Sequence, residues 1–284
     1  MTRSAPAKIN LTLRVGDLRP DGFHEIESLV ARVGLCDTIT ISPRDDGRFT
    51  LACDDPSIPC DDANLALRAA RRLSEAVGVR DRGVHITLQK RIPGGAGLGG
   101  GSSDAATVLM LLNDLWEIGL PAAELERIGA EIGSDVPLFF HTPLCVVRGR
   151  GERAEDLSRS LTGWAVLILP AIHSTTRDVY AAWDPSRAYS SRPALDDILK
   201  HADRAETLMP HLFNDLEALA FAINPQLAKL AERLIRLADG PVRMTGSGSA
   251  LFRLLGDAAT AEAFGDRVHA ELNVRVEAVP LQGV

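Results

Sequence analysis

Six of the eight residues from Gly94 to Gly101 are glycine, within the run Pro93-Gly94-Gly95-Ala96-Gly97-Leu98-Gly99-Gly100-Gly101-Ser102-Ser103-Asp104. No other feature limits the fold of this chain so strongly. Without Cβ atoms the backbone reaches positive φ freely, and successive N–H groups can turn toward one point. The run leads straight into an apolar stretch, Asp104–Leu115, that reads as a helix. The partly positive end of that helix then faces the same point. Ser102 and Ser103 add hydroxyl donors. The segment reads as a cradle for phosphate.

Three other readings are weaker. Gly95, Gly97 and Gly100 satisfy the dinucleotide pattern GxGxxG, but that pattern belongs after an almost wholly apolar strand. Here the preceding strand carries His85, Thr87 and Gln89 and runs into Lys90 and Arg91. A P-loop ends in Gly-Lys-Ser/Thr, and this loop ends Gly101-Ser102-Ser103 with no lysine. A flexible linker would not run into an uninterrupted apolar helix.

Elsewhere the chain mixes strands and helices without strict βαβ alternation, which predicts an α+β fold with antiparallel sheets. Ile9, Leu11, Leu13 and Val15 alternate with polar residues as a half-buried strand, and Pro20-Asp21-Gly22 makes a turn. Asp37–Ser42 and Arg48–Cys53 read as a hairpin across Asp45-Asp46-Gly47. Asn64–Val77, Pro121–Ile132, Asp178–Trp183, Ala194–His201, Leu216–Ala222, Pro225–Ala238 and Ala259–Leu272 read as helices, and Asp135–Phe140 opens a short one. Val84–Gln89, Trp164–Leu169, Val242–Met244, Ala250–Leu255 and Val274–Val279 read as strands. The length of 284 residues suggests two domains. The charged, glycine-containing stretch after residue 150 is the expected boundary, giving 1–155 and 156–284.

Composition bears on what a phosphate cradle serves. The chain sums to −7, with 31 Lys and Arg against 38 Asp and Glu. No nucleic acid is expected to wrap it and no anionic membrane surface to attract it. Cys36, Cys53, Cys60 and Cys145 form no CxxC pair, so buried reduced thiols are expected rather than a zinc site or disulfides. The N-terminus lacks the apolar region of a signal peptide, and no stretch has the length of a membrane span. A cytoplasmic protein is expected, acting on small anions held locally.

The loop resembles the phosphate loop of the GHMP kinase superfamily. That superfamily also implies an N-terminal strand motif, matched by Pro6-Ala7-Lys8-Ile9-Asn10-Leu11, and a C-terminal glycine motif, matched by Thr245-Gly246-Ser247-Gly248-Ser249. With Arg19-Pro20-Asp21-Gly22-Phe23-His24, Gly133-Ser134-Asp135-Val136-Pro137 and Phe213-Asn214-Asp215, the motif order resembles one branch. That branch phosphorylates a cytidine-diphosphate-linked methylerythritol in non-mevalonate isoprenoid synthesis. The resemblance implies two α+β domains with the active site in the cleft between them, ATP as donor and Mg2+ as its companion. No residue is assigned to the metal, and oligomeric state is not readable.

The resemblance maps the catalytic base onto Asp135, which on its own reads equally as a helix N-cap. Lys8 is the candidate catalytic cation. It is one of four lysines among 31 basic residues, in a strand where it reads otherwise as a solvent-facing edge residue. Asn10 shares its face, to bind substrate or position Lys8. Residues Pro93 to Ser103 would hold the triphosphate. Asn64 falls on the adenine side by resemblance, or caps its helix. Phe23 and His24 fall on the cytidine, offering a ring face and an in-plane polar atom. The family often has tyrosine where this chain has Phe23, which removes a hydroxyl contact and leaves stacking. Tyr180 reads as a second stacking wall or a core aromatic, and Gly246 and Ser247 as part of a turn over the reaction centre or an ordinary hairpin. The rival functions are another GHMP kinase, such as homoserine kinase, and a catalytically silent ATP- and sugar-binding sensor.

Overall fold

The computed structural model describes residues 1–79, 81–183 and 192–282. Its first sheet has eight strands: β1 (Thr2–Asn10), β2 (Thr12–Leu18), β3 (His24–Arg44), β4 (Phe49–Cys53), β5 (Gly83–Gln89), β6 (Leu144–Gly149), β7 (Arg153–Asp156) and β9 (Phe213–Asn214). The second has four, in the order β10 (Arg243–Met244), β11 (Leu251–Leu255), β8 (Trp164–Leu169) and β12 (Arg275–Pro280). Helices α1 (Leu65–Val77), α2 (Gly100–Leu115) and α3 (Ala122–Ile132) cover the outer face of the first sheet. The second sheet carries α4 (Thr176–Ala181), α7 (Glu217–Ile223), α8 (Pro225–Ala238) and α9 (Ala258–Leu272) on its outer face, and α5 (Leu195–Leu199) and α6 (Ala205–Leu208) join the core between the sheets.

Side-chain alternation builds these layers. In β8, Ala165, Leu167 and Leu169 face the inter-sheet core, while Val166 and Ile168 face the helices beyond. Both faces are apolar because both are covered. Phe252 of β11 is the largest fully buried side chain of the inter-sheet core. In β1 a register shift between Pro6 and Ala7 changes the face, so Ala5 packs toward the helices and Ala7 and Ile9 toward the second sheet.

Several sequence readings need correction. The strand read through Ile9 to Val15 breaks at Leu11 and is buried on both faces, because its polar side is enclosed by the loop and the C-terminal turn. The hairpin of 37–42 with 48–53 does not form. β5 lies between them, antiparallel to β3 and parallel to β4. Gly83 permits this, because a Cβ there would lie 2.3 Å from the Arg48 carbonyl oxygen. Residues 24–36, left unassigned above, continue β3, which pairs with β2 and β1 along one edge and with β6 and β5 along the other. The charged stretch after residue 150 begins as the β6–β7 hairpin of the first sheet. Of the cysteines, Cys145 is buried and its thiol pushed up to about 12 by burial, whereas Cys60 is exposed.

A buried ion cluster fixes the base of the glycine-rich loop. Lys90 Nζ donates to the Asp37 carboxylate and to Asp104 Oδ2 at 3.0 Å. Asp37 Oδ1 accepts from the N–H groups of Arg91 and Ile92 at 2.6 and 2.9 Å, just where the loop begins. The three side chains therefore tie β3, the end of β5 and α2 together. Burial pushes the Asp104 carboxyl up to about 7, against the pull of Lys90. The folded chain thus holds this proton at pH values where the unfolded chain has released it. The contribution of this group to stability falls as pH rises from the ordinary carboxylate range to about 7. Removing the cation in Lys90→Ala leaves two buried carboxylates without a compensating charge, and should cost ~3–5 kcal/mol at pH 8. The loss measured by urea unfolding should be smaller at pH 5, where Asp104 is protonated. An equal loss at both pH values would refute the role of the charges.

Candidate active site

The loop is shaped by alternate left-handed residues. Gly95, Gly97 and Gly99 have φ of 68°, 79° and 69°. At Gly97 a Cβ would lie 2.3 Å from the Thr245 carbonyl oxygen, and at Gly99 one would lie 2.9 Å from Lys8 Cγ. The loop is packed against β1 on one side and the turn between β10 and β11 on the other. Helix α2 begins at Gly100, four residues before the expected start. Its first helical bond runs from Ser103 N to Gly99 O at 2.9 Å, so the N–H groups of Gly100, Gly101 and Ser102 have no helical partner. Ala96 and Leu98 belong to the inter-sheet core, and the Leu98 carbonyl accepts from Lys8 N at 2.9 Å.

Lys8 lies inside the protein, its side chain 6% exposed, which removes the edge reading. Its Nζ donates to Asn10 Oδ1 at 2.6 Å and lies 3.4 Å from Asp135 Oδ2. Asn10 Nδ2 donates to Ser28 Oγ at 2.7 Å, which donates to Thr12 O at 2.5 Å. The Asn10 backbone N–H donates to Thr245 Oγ1 at 2.9 Å, and that hydroxyl lies 3.2 Å from the Gly97 carbonyl, which it faces as donor. Each neighbour of Lys8 thus has a fixed orientation. Asp135 follows α3 and precedes a short 3-10 helix at Pro137–Phe140. Among the described residues no backbone N–H donates to its carboxylate, so it does not act as an N-cap. Asn64 does cap α1: Oδ1 accepts from Ala66 N at 2.9 Å while Nδ2 donates to Pro59 O at 2.8 Å.

The other end of the cleft is aromatic. Phe23 is 48% exposed there, and the rings of His24 and Tyr180 stack with centroids 6.0 Å apart. His24 Nδ1 lies 3.1 Å from Gly16 O. A carbonyl only accepts, so Nδ1 carries a proton and, in the neutral ring, Nε2 is left as an acceptor. Tyr180 both lines the cleft and packs on the outer core of the second sheet, and burial raises its phenol pKa. The turn Thr245–Ser249 is held in place by Asn214, whose Nδ2 donates to Met244 O at 2.9 Å and Gly246 O at 2.8 Å. It is tied to α4 through Thr176 Oγ1 and Ser247 Oγ at 2.9 Å.

Lys8, Asn10, Phe23, His24, Gly97, Gly99, Asp135, Tyr180, Gly246 and Ser247 all line one cavity of about 710 Å³. Pro93, Gly94, Gly95, Ala96, Leu98 and Gly100 to Ser103 shape or support the loop and do not line it, and Asn64 lies outside it. Sequence reasoning missed Ser134, Arg150, Thr176 and Arg177 as lining residues. A usable signal for Arg150 was its place between Gly149 and Gly151. The lining side chains include Lys8, Arg150 and Arg177 against the single carboxylate of Asp135, so the cleft is locally cationic in an acidic chain. In Gly99→Ala the new methyl would meet Lys8 and a positive φ would be strained. Turnover should drop ~10-fold or more, with the Km for the phosphate donor also raised. Unchanged steady-state kinetics would show that the loop does not set Lys8.

Residues 64–142 match the family described as GHMP kinases N terminal domain, and residues 191–274 match GHMP kinases C terminal. Fold and cleft together define an ATP-dependent small-molecule kinase of the GHMP type. Similar proteins include 4-diphosphocytidyl-2-C-methyl-D-erythritol kinases of Chlorobium phaeobacteroides, 40% identical with 90% of this chain and 89% of the relative covered, and of Syntrophotalea carbinolica, 36% identical with 97% and 96% covered. A crystal structure of 4-(cytidine 5'-diphospho)-2C-methyl-D-erythritol kinase superposes with a TM-score of 0.84 at 37% identity, covering both chains fully. Homoserine kinase from Cytophaga hutchinsonii, with a TM-score of 0.74 at 16% identity over 100% of this chain and 94% of that one, shares the fold. The chain belongs to the family of 4-diphosphocytidyl-2-C-methyl-D-erythritol kinases.

Proposed function

We propose that this chain transfers the γ-phosphoryl group of ATP to the 2-hydroxyl of 4-diphosphocytidyl-2-C-methyl-D-erythritol, in the non-mevalonate route to isoprenoid precursors. The observation that carries this reading is the shared cavity. A lysine–carboxylate pair, Lys8 and Asp135, occupies one part of it, and an aromatic wall that offers ring faces to a nucleobase, Phe23 with His24 and Tyr180, occupies another. A homoserine kinase has no need of such a wall. The reading includes the division into an ATP-binding part, 1–155, and a second part, 156–284.

Asp135 takes the proton of the hydroxyl as its oxygen attacks the γ-phosphorus, the bond from phosphorus to the bridging oxygen breaks, and ADP leaves. Lys8, 3.4 Å from Asp135 Oδ2, favours the alkoxide and offsets charge on the transferring group. The open N–H groups at the start of α2 receive phosphate oxygens. Asn10 holds the ammonium by its 2.6 Å bond. The nucleobase lies against Phe23 and Tyr180, with His24 Nε2 free to accept from an exocyclic amine.

Magnesium would come as the nucleotide complex and offset part of the triphosphate charge. The residues fit it in one respect: the Ser103 hydroxyl is buried at the start of α2 with no hydrogen-bond partner among the described residues. An ion that keeps phosphate and water ligands needs only one or two protein oxygens. Ser103 and Ser102 are the residues that would hold it.

Coupled ADP release at fixed ATP tests the reading. The wild-type chain should turn over the cytidine-diphosphate alcohol and neither homoserine nor mevalonate. Asp135→Asn should bind ATP normally and lose ~10²–10⁴-fold in turnover. Comparable turnover of homoserine would overturn the substrate, and a wild-type rate in Asp135→Asn would overturn the base.

A further inference from the structure

The β6–β7 turn occupies a position that the proposed function leaves unused. It runs Gly149-Arg150-Gly151-Glu152 and is locked from within, since Glu152 Oε2 accepts from Arg150 N at 2.6 Å. Gly149 and Gly151 have φ of 76° and 115°, backbone that side chains resist. The turn lies against the base itself, because a Cβ on Gly151 would stand 3.1 Å from Asp135 Oδ1. One residue earlier, the Arg150 guanidinium lies 5.2 Å from the centroid of the Phe23 ring. A single short turn therefore reaches from the reacting end of the cavity to its nucleobase wall.

The charge of Arg150 stands apart from that of its neighbours. On the same hairpin, Arg148 pairs with Glu27 at 3.2 Å and Glu155 at 2.8 Å, and Arg153 pairs with Glu25 at 2.7 Å. Arg150 lines the cavity and has no described carboxylate within 4.0 Å, its one side-chain hydrogen bond being a 3.5 Å contact to Ala130 O. Of the acidic groups around the turn, Asp21 pairs with Arg19 at 3.2 Å and feels the Arg150 charge only from beyond ion-pair distance, and Glu152 accepts from the turn backbone. Lys8 is already held by Asn10 and Asp135.

The proposed substrate joins its nucleoside to its alcohol by a diphosphate. Bound in this cavity, that bridge must lie between Phe23 and Asp135, and the Asp135 carboxylate would repel it. A guanidinium is the side chain whose donors match two phosphate oxygens at once. We infer that Arg150 recognises the diphosphate bridge of the substrate and so separates a nucleoside-diphosphate alcohol from an uncharged nucleoside. This inference rests on the substrate reading above.

Calorimetric binding of cytidine and of CDP tests it, with Arg150→Met keeping the stem over Phe23 and removing the charge, and Arg150→Lys keeping the charge without the fork. The wild type should bind both ligands, CDP more tightly. Arg150→Met should weaken CDP by ~10–100-fold and leave cytidine within ~3-fold, Arg150→Lys should fall between, and the Km for ATP should not move. An equal loss for CDP and cytidine would overturn the inference, reducing Arg150 to a packing contact on Phe23. A raised Km for ATP would also overturn it, by assigning the charge to the donor nucleotide. A wild type that binds neither ligand would instead sink the substrate reading.

Discussion

The Thr245 hydroxyl joins three distant pieces of chain. It accepts the Asn10 backbone N–H at 2.9 Å and faces the Gly97 carbonyl at 3.2 Å, so the N-terminal strand, the glycine-rich loop and the C-terminal turn meet at one buried atom. Everything the cleft offers is referred to that point. Asn10 orients Lys8, Lys8 faces Asp135, and the loop that presents the α2 N-terminus packs against both the turn and Lys8. A buried donor or acceptor that loses its partner costs ~1–3 kcal/mol, so pulling any one of the three pieces away from this atom carries a penalty of that size. The four-layer packing of helices, sheet, sheet and helices supplies the rigid frame around this knot.

Electrostatics reconcile an acidic chain with polyanionic ligands. A net charge of −7 describes the distant surface, where arginines such as Arg72, Arg127 and Arg153 are paired with carboxylates. The cavity instead carries Lys8, Arg150 and Arg177 against one carboxylate, and the three open N–H groups at the start of α2 follow directly on Gly99, which lines it. Local polarity of this kind binds small phosphates without any basic face. The same separation holds beneath the loop, where Lys90 compensates Asp37 and Asp104 out of contact with solvent.

Much of this site was legible because its chemistry is local. The glycine run, the cap at Asn64 and the apolar strand Trp164–Leu169 each follow from residues close in sequence. Motif resemblance points to Asp135, Phe23, His24, Gly246 and Ser247, the shared strand face to Lys8 and Asn10, and Tyr180 reads as a wall or a core aromatic; the fold brings all eight to one cavity. What stayed hidden depends on distant partners. β5 enters between β3 and β4 because Gly83 clears Arg48, which no turn signal at Asp45-Asp46-Gly47 reveals. The β6–β7 turn looked like a boundary because its charges are paired across strands, and charge alone does not distinguish a hairpin from a linker. Asp135 reads equally well as an N-cap from its local sequence and Lys8 less well as an edge residue, and it takes the burial of Lys8 and the 3.4 Å between the two side chains to pair them.

The dependence of the cleft on one hydroxyl is tested most directly by Thr245→Val, which keeps the shape and removes the oxygen. Steady-state kinetics should show kcat/Km reduced ~10-fold or more, while thermal unfolding shows a folded chain with a modestly lower midpoint. A kcat/Km within ~2-fold of wild type in a normally folded variant would contradict the claim that this atom holds Lys8, the loop and the turn in register.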